Sequence, residues 1–153
     1  MTLYLDTSSL FKLYVDEAGS DDVRQELAEA DTAATSAVSY AEARSAFARL
    51  RRDGELTPAM FLAVKRDFDR DWSEFAIVEP TVALCRAAGD LAERYQLRGC
   101  DSIQLATFLE VAGDNPSSET RFSSFDRRLN QAATRALRAA RSSRRGRGRV
   151  TAT

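Results

Sequence analysis

The sequence predicts an α/β fold, on two observations. Short apolar or β-branched segments alternate with longer segments of helical period, and 153 residues with 44% hydrophobic content suit one compact core. The order strand, helices, strand, helices, strand, helices, strand, helix implies a three-layer α/β/α sandwich around a short central parallel sheet. Right-handed crossovers then carry the C-terminal end of every strand to one edge of the sheet, where folds of this kind bind ligands.

Residues 2–5 (TLYL) form the first strand, which stops at Asp6. Leu10, Leu13 and Tyr14 fall at helical spacing, so a helix follows at once. Gly19-Ser20 breaks it, and DDVRQELAEA reads as a second, polar-faced helix. Residues 32–36 (TAATS) make a weak second strand that rests on small and β-branched residues. Helical period returns from about Val38 to Arg52 and ends at Asp53-Gly54. Thr57 as N-cap and Pro58 at the first helical position open the next helix, which runs to about Trp72. FAIVEP (75–80) is the third strand, closed by Pro80. Helices over roughly 81–95 and 101–112 follow, separated by a turn around Gly99, and 113–118 is loop by composition. ETRFSS (119–124) is the fourth strand, and Asp126 starts a last helix to about Ala140. The chain thus divides into a domain over 1–140 and a basic, low-complexity tail over 141–153 that is expected to be disordered.

Composition narrows the chemistry. There is no histidine, which removes Ser-His-Asp and Cys-His machinery, histidine general bases and histidine-ligated metals. Cys85 and Cys100 form no CxxC pair, and two thiols without histidine make no zinc site. Carboxylates, hydroxyls and basic side chains must carry any reaction. No apolar run approaches the ~20 residues of a membrane span. A first strand beginning at residue 2 or 3 leaves no room for a signal peptide, so a cytoplasmic free-thiol protein is expected. The net charge of −1 hides a split. Residues 1–120 hold 12 Lys and Arg against 22 Asp and Glu, whereas residues 121–153 hold 10 Arg against Asp126 alone. An acidic body with a basic tail is not the profile of a sequence-specific DNA reader.

Four acids stand out by position. Asp6 and Asp126 end predicted strands, Glu42 lies in the first turns of the helix after the second strand, and Asp101 opens a helix that can dock beside them. Each also has an ordinary explanation. Asp6 and Asp126 suit N-caps, while Ser39-x-x-Glu42 and Asp101-x-x-Gln104 suit capping boxes. Four converging carboxylates would repel one another and raise their pKa values unless a cation neutralised them. Oxygen ligands alone select hard ions, Mg²⁺ or Mn²⁺ over zinc, and such ions take phosphate oxygens as further ligands.

Taken in order, LDTSSLFKLYVDE, SYAEARSAFARL, LRGCDSIQLAT and FSSFDRRLNQAA resemble PIN domains, most closely the VapC-type toxins of bacterial and archaeal type II toxin–antitoxin modules. The resemblance covers about residues 2–134. It implies a metal-dependent endoribonuclease in which Asp6, Glu42, Asp101 and Asp126 match the acidic quartet, with Mg²⁺ or Mn²⁺ as cofactor. Ser124 matches the hydroxyl two residues before the last acid that orients a ligand or water, and Ser8 a hydroxyl near the first. It further implies RNA as substrate, a cognate VapB-like antitoxin as partner, and a homodimer. PIN domains of this kind carry about four to five strands. The segment after residue 135 offers almost no apolar run for a fifth, which puts that sheet edge in doubt.

Arg51, Arg52, Arg98, Arg127 and Arg128 are candidates to hold an RNA backbone, with Arg98 and Arg127 favoured because they neighbour acids of the quartet. Solvated helix faces are the competing explanation. Leu10, Leu13 and Tyr14, or Ala41, Phe47 and Leu50, offer either core or a docking face. Rival readings fare worse. A haloacid-dehalogenase-like phosphatase needs a second Asp where Ser8 stands, and FAIVEP ends without the phosphoacceptor of a receiver domain. The only GxG lies at 146–148, away from any strand–helix junction. A non-toxin RNA-processing nuclease and a catalytically silent PIN-like binding module remain as alternatives.

Overall fold

The structure, a computed structural model, describes residues 1–114 and 119–148, the latter with side chains as far as Ser142. Among these residues four strands form one sheet in the order β3-β2-β1-β4: β1 (Thr2–Leu5), β2 (Thr32–Ser36), β3 (Ala76–Val78) and β4 (Thr120–Ser123). Every pairing is parallel, as the alternation of strands and helices requires. The helices are α1 (Thr7–Lys12), α2 (Ser20–Ala28), α3 (Val38–Arg52), α4 (Pro58–Asp71), α5 (Val82–Tyr95), α6 (Gly99–Asp114) and α7 (Arg127–Gly148).

β1 lies at the centre of the sheet and shows how the three layers arise. Side chains alternate across a strand, so Leu3 and Leu5 face one way and Tyr4 the other. Leu3 and Leu5 pack with Leu10, Val23, Phe47 and Phe68 of α1 to α4. Tyr4 packs with Leu105, Phe108 and Leu129 of α6 and α7. All three are wholly buried, and each such side chain contributes about 1.5–3 kcal/mol relative to exposure. α5 closes over α6 through Leu84, Ala88 and Ala106. β2, weak by propensity, is held from both sides by β1 and β3. The Thr35 hydroxyl adds a bond, donating to the Leu5 carbonyl at 2.7 Å.

Boundaries differ from expectation in four places. β3 is shorter than 75–80, because Phe75 ends a 3₁₀ turn over Trp72–Glu74 and Pro80 has no N–H to give a ladder. The turn expected around Gly99 lies earlier. Gln96 closes α5 in the left-handed region (φ 55°), and Gly99 is already the first residue of α6. α6 also runs on to Asp114, into the expected loop, of which 115–118 lies outside the described residues. α7 continues past Ala140 to Gly148, since Arg and Ala are strong helix formers, while 149–153 lies outside the described residues. No fifth strand occurs among the described residues. None of the described helices is long and apolar enough to cross a membrane.

Candidate active site

Asp6 sits at the C-terminal end of β1, 5% exposed. It is the N-cap of α1, with Oδ1 accepting from the Ser9 amide at 3.0 Å. It is also more than a cap. The Ser8 hydroxyl donates to Oδ1 at 2.7 Å, and the Ser124 hydroxyl, arriving from the end of β4, donates to Oδ2 at 2.8 Å. Burial pushes its pKa above the ordinary carboxylate value, while the bonds from Ser8, Ser9 and Ser124 oppose that rise. Asp126 caps α7 in the same manner, its Oδ1 taking the Arg128 amide at 2.7 Å and the Leu129 amide at 2.9 Å. The Asp126 amide in turn donates to Ser124 Oγ at 3.0 Å, so one hydroxyl links the first acid to the backbone of the last.

The capping-box readings of the other two acids do not hold. α3 starts at Val38 with Ala37 as N-cap and no side-chain cap bond. Glu42 points elsewhere: its Oε2 accepts from Thr7 Oγ1 at 2.6 Å and lies 3.2 Å from Gln104 Nε2. α6 starts two residues before Asp101, so Gln104 has no helix end to cap. Gln104 is instead the hub of a buried network, 2% exposed. Its Oε1 accepts from the Tyr4 hydroxyl at 2.7 Å, and its Nε2 serves Thr7 Oγ1 at 3.0 Å and Ser39 Oγ at 2.9 Å besides Glu42. Burial holds the Tyr4 phenol far above its usual range, so it remains a neutral donor.

All four acids line one open cleft of about 600 Å³ at the C-terminal edge of the sheet. Ser8 and Arg98 line it too, whereas Ser124 reaches it through Asp6. Arg127, exposed at the first position of α7, does not line it, contrary to expectation. Arg51 and Arg52 are also absent from the lining, and the Arg128 guanidinium donates to the Gln96 carbonyl. Leu10 and Phe47 are core, not docking surface.

The carboxylates sense each other. Burial raises the pKa of Asp101 first, then the charges of Asp126 and Glu42 add to the rise, and Arg98 opposes it. This is the mark of like charges sharing a site. The donors, hard oxygens with a partly desolvated pair among them, suit a divalent cation by chemistry. Their arrangement is looser: among the described residues no three stand close enough to hold one ion. Asp6, Glu42 and Asp126 are each committed to neighbouring donors, so a shared ion requires side chains to turn inward.

Several cleft residues escaped the sequence reading, namely Thr7, Lys12, Arg49, Gln104 and Phe125. Two had a usable signal. Gln104 is three residues from Asp101 and Arg49 seven from Glu42, spacings that return to the same helix face. Lys12 had none: it is 7% exposed, pairs with Glu17 and donates to the Ala18 carbonyl at 2.8 Å, which depends on how the turn after α1 folds back.

Comparison with known proteins accords with this architecture. The model of the PIN domain family matches residues 3–135. Ribonuclease VapC45 and Ribonuclease VapC49, from two strains of Mycobacterium tuberculosis, are each 34% identical over 109 residues, 71% of this chain and 76% of theirs. Among solved structures, FitAcB from Neisseria gonorrhoeae superposes with a TM-score of 0.59 at 17% identity, covering 86% of this chain and 93% of that one. VapBC2 from Rickettsia felis, bound to a DNA fragment from its promoter, gives 0.53 at 13% identity over 82% and 100%. At such identities the two structures speak for the fold alone. The family model spans most of the chain and the ribonucleases are 34% identical over 71% of it, so this chain belongs to the PIN domain family, of the VapC type.

Proposed function

We propose that the chain is a metal-dependent endoribonuclease and the toxin of a type II toxin–antitoxin pair, with Asp6, Glu42, Asp101 and Asp126 as its acidic quartet. One observation carries the reading: four carboxylates drawn from four separate elements line a single cleft at the ligand-binding edge of a parallel sheet. When bound, Mg²⁺ or Mn²⁺ supplies a Lewis acid that acidifies water and offsets phosphate charge. Asp6 and Asp101 are assigned as direct ligands, and Glu42 and Asp126 as ligands directly or through water, one of these two taking the proton of the attacking water. Ser124 and Ser8 orient the Asp6 oxygens that they already bond. Arg98, beside Asp101, is suited to a phosphate oxygen of RNA. VapB-like antitoxin, homodimer and cytoplasmic location follow the family and are part of the same proposal.

The test compares RNA cleavage by the wild type and by Asp6→Asn, each with Mg²⁺, Mn²⁺ or EDTA. The wild type is expected to cut only with a divalent ion. Asp6→Asn should lose more than the ~10–100-fold that follows removal of a mere supporting partner of a metal ligand. Cleavage that persists in Asp6→Asn with EDTA overturns the mechanism.

A further inference from the structure

Phe125 lies between Ser124 and Asp126 and lines the acidic cleft while remaining 45% exposed. An exposed phenylalanine is ordinary in itself. This one is held from three sides. Its amide donates at 2.9 Å to Ser8 Oγ, the hydroxyl that in turn donates to Asp6. Its ring lies against Gly19, where φ is +90° and an added Cβ would fall 2.4 Å from Cε1 and 2.6 Å from Cζ. Lys12, buried and tied to Glu17 and the Ala18 carbonyl, sets its ammonium 4.3 Å from the ring centroid. Gly19 therefore has two reasons to be glycine: its backbone conformation, and the room it leaves for this ring.

A flat apolar surface, oriented by the first acid and joined to the last, is what a stacked nucleobase needs. Stacking on an aromatic ring is available to every base but only when the base is unpaired, because in a duplex its faces are covered. Charged side chains such as those of Arg98 and Arg49, which line the cleft, suit phosphates and are blind to the base. We propose that Phe125 is a stacking platform that holds the base of a nucleotide adjoining the scissile phosphate, and so selects single-stranded RNA; the inference rests on the nuclease reading above.

The test measures binding in the full chain carrying Asp6→Asn, so that the strand survives. The probes are a fluorescent single-stranded RNA 12-mer of mixed sequence and an abasic ribose-phosphate 12-mer of equal charge, both with Mg²⁺. The base-bearing strand is expected to bind more tightly than the abasic one. Adding Phe125→Leu should weaken the base-bearing strand about fivefold to a hundredfold, the effect of one lost stack, and leave the abasic strand unchanged. Phe125→Tyr should restore the difference, which guards against a folding defect in the leucine variant. Equal weakening of both strands, no weakening of either, or no binding of the RNA 12-mer overturns the proposal. Failure of the nuclease reading is separate: it shows as an absence of cleavage in the wild type, whatever Phe125→Leu does to binding.

Discussion

At the residue scale, the acids of the cleft serve the fold and the site with different atoms. Asp126 spends Oδ1 on two backbone amides at the start of α7, and Asp6 spends one oxygen on an amide of α1 and the other on Ser124. The local cap and the shared site are therefore not competing explanations, which is why spacing alone leaves both open. Asp101 differs, since burial and the charges of Asp126 and Glu42 raise its pKa while only Arg98 and a backbone bond oppose them. Its folded pKa lies above its unfolded value, so the folded protein retains more protons across that window. Stability accordingly falls as pH climbs from the ordinary carboxyl range through the raised value, and stays lower at neutral pH. Asp101→Asn removes this penalty. In metal-free buffer at pH 7 we expect a Tm higher by about 2–4 °C, the shift from roughly 1 kcal/mol in a domain of this size, with solvent screening setting that ceiling. The difference should vanish near pH 4, and a lower Tm for the mutant at pH 7 would show that Asp101 is not under like-charge strain.

At the element scale, Gln104 decides how α6 meets α1, α3 and β1. Its bonds span partners 62 to 100 residues away in sequence, so nothing near it in the chain announces the role. The same distinction explains which elements were readable. The Thr57 cap with Pro58 is local chemistry, and the structure shows it as expected, with the Met60 amide 3.2 Å from Thr57 Oγ1. Ser39-x-x-Glu42 has equally good local chemistry, yet Thr35 and Gln104 claim Ser39 while Thr7 and Gln104 claim Glu42, and the helix starts without either. Gly99 misled for the opposite reason: a non-glycine residue, Gln96, takes the left-handed turn. Gln104→Leu keeps the volume and removes the hub. The buried Tyr4 hydroxyl then loses the Gln104 acceptor, and urea unfolding should report a loss of about 1–3 kcal/mol with an unchanged m-value. Glu42 loses one of its two holders, so cleavage should fall as well. A variant as stable as wild type but inactive would place Gln104 in contact with substrate instead of in the scaffold.

At the scale of the whole molecule, a parallel sheet makes a site out of residues that are remote in sequence. Strands that all run one way put Asp6 and Ser124 at the same edge, with Leu5 paired to Ser123 in register. α3 and α6 add Glu42 and Asp101 from opposite faces of that sheet. The parallel sheet and the strand-end acids were readable from the chain, because alternation of elements and right-handed crossovers leave few topologies. The closeness of the four acids was not, since it depends on side-chain directions that neither period nor spacing encodes. Here the structure shows a quartet that shares a cleft, with Asp101 raised by the charges of Asp126 and Glu42, and without three acids drawn together. Such an arrangement is poised for a cation that binds the folded chain and not the unfolded one. At a concentration of Mg²⁺ or Mn²⁺ about 100 times its Kd, mass action adds about 2.7 kcal/mol. At ~2–4 °C per kcal/mol, the wild-type Tm should rise by about 5–10 °C. Asp6→Asn should lose most of that rise, and Na⁺ at matched ionic strength should not reproduce it, because screening weakens repulsion between exposed charges but supplies no ligand to buried ones. If Na⁺ raises the Tm as far as Mg²⁺ does, the cleft is merely acidic and the carboxylates do not act together on one ion.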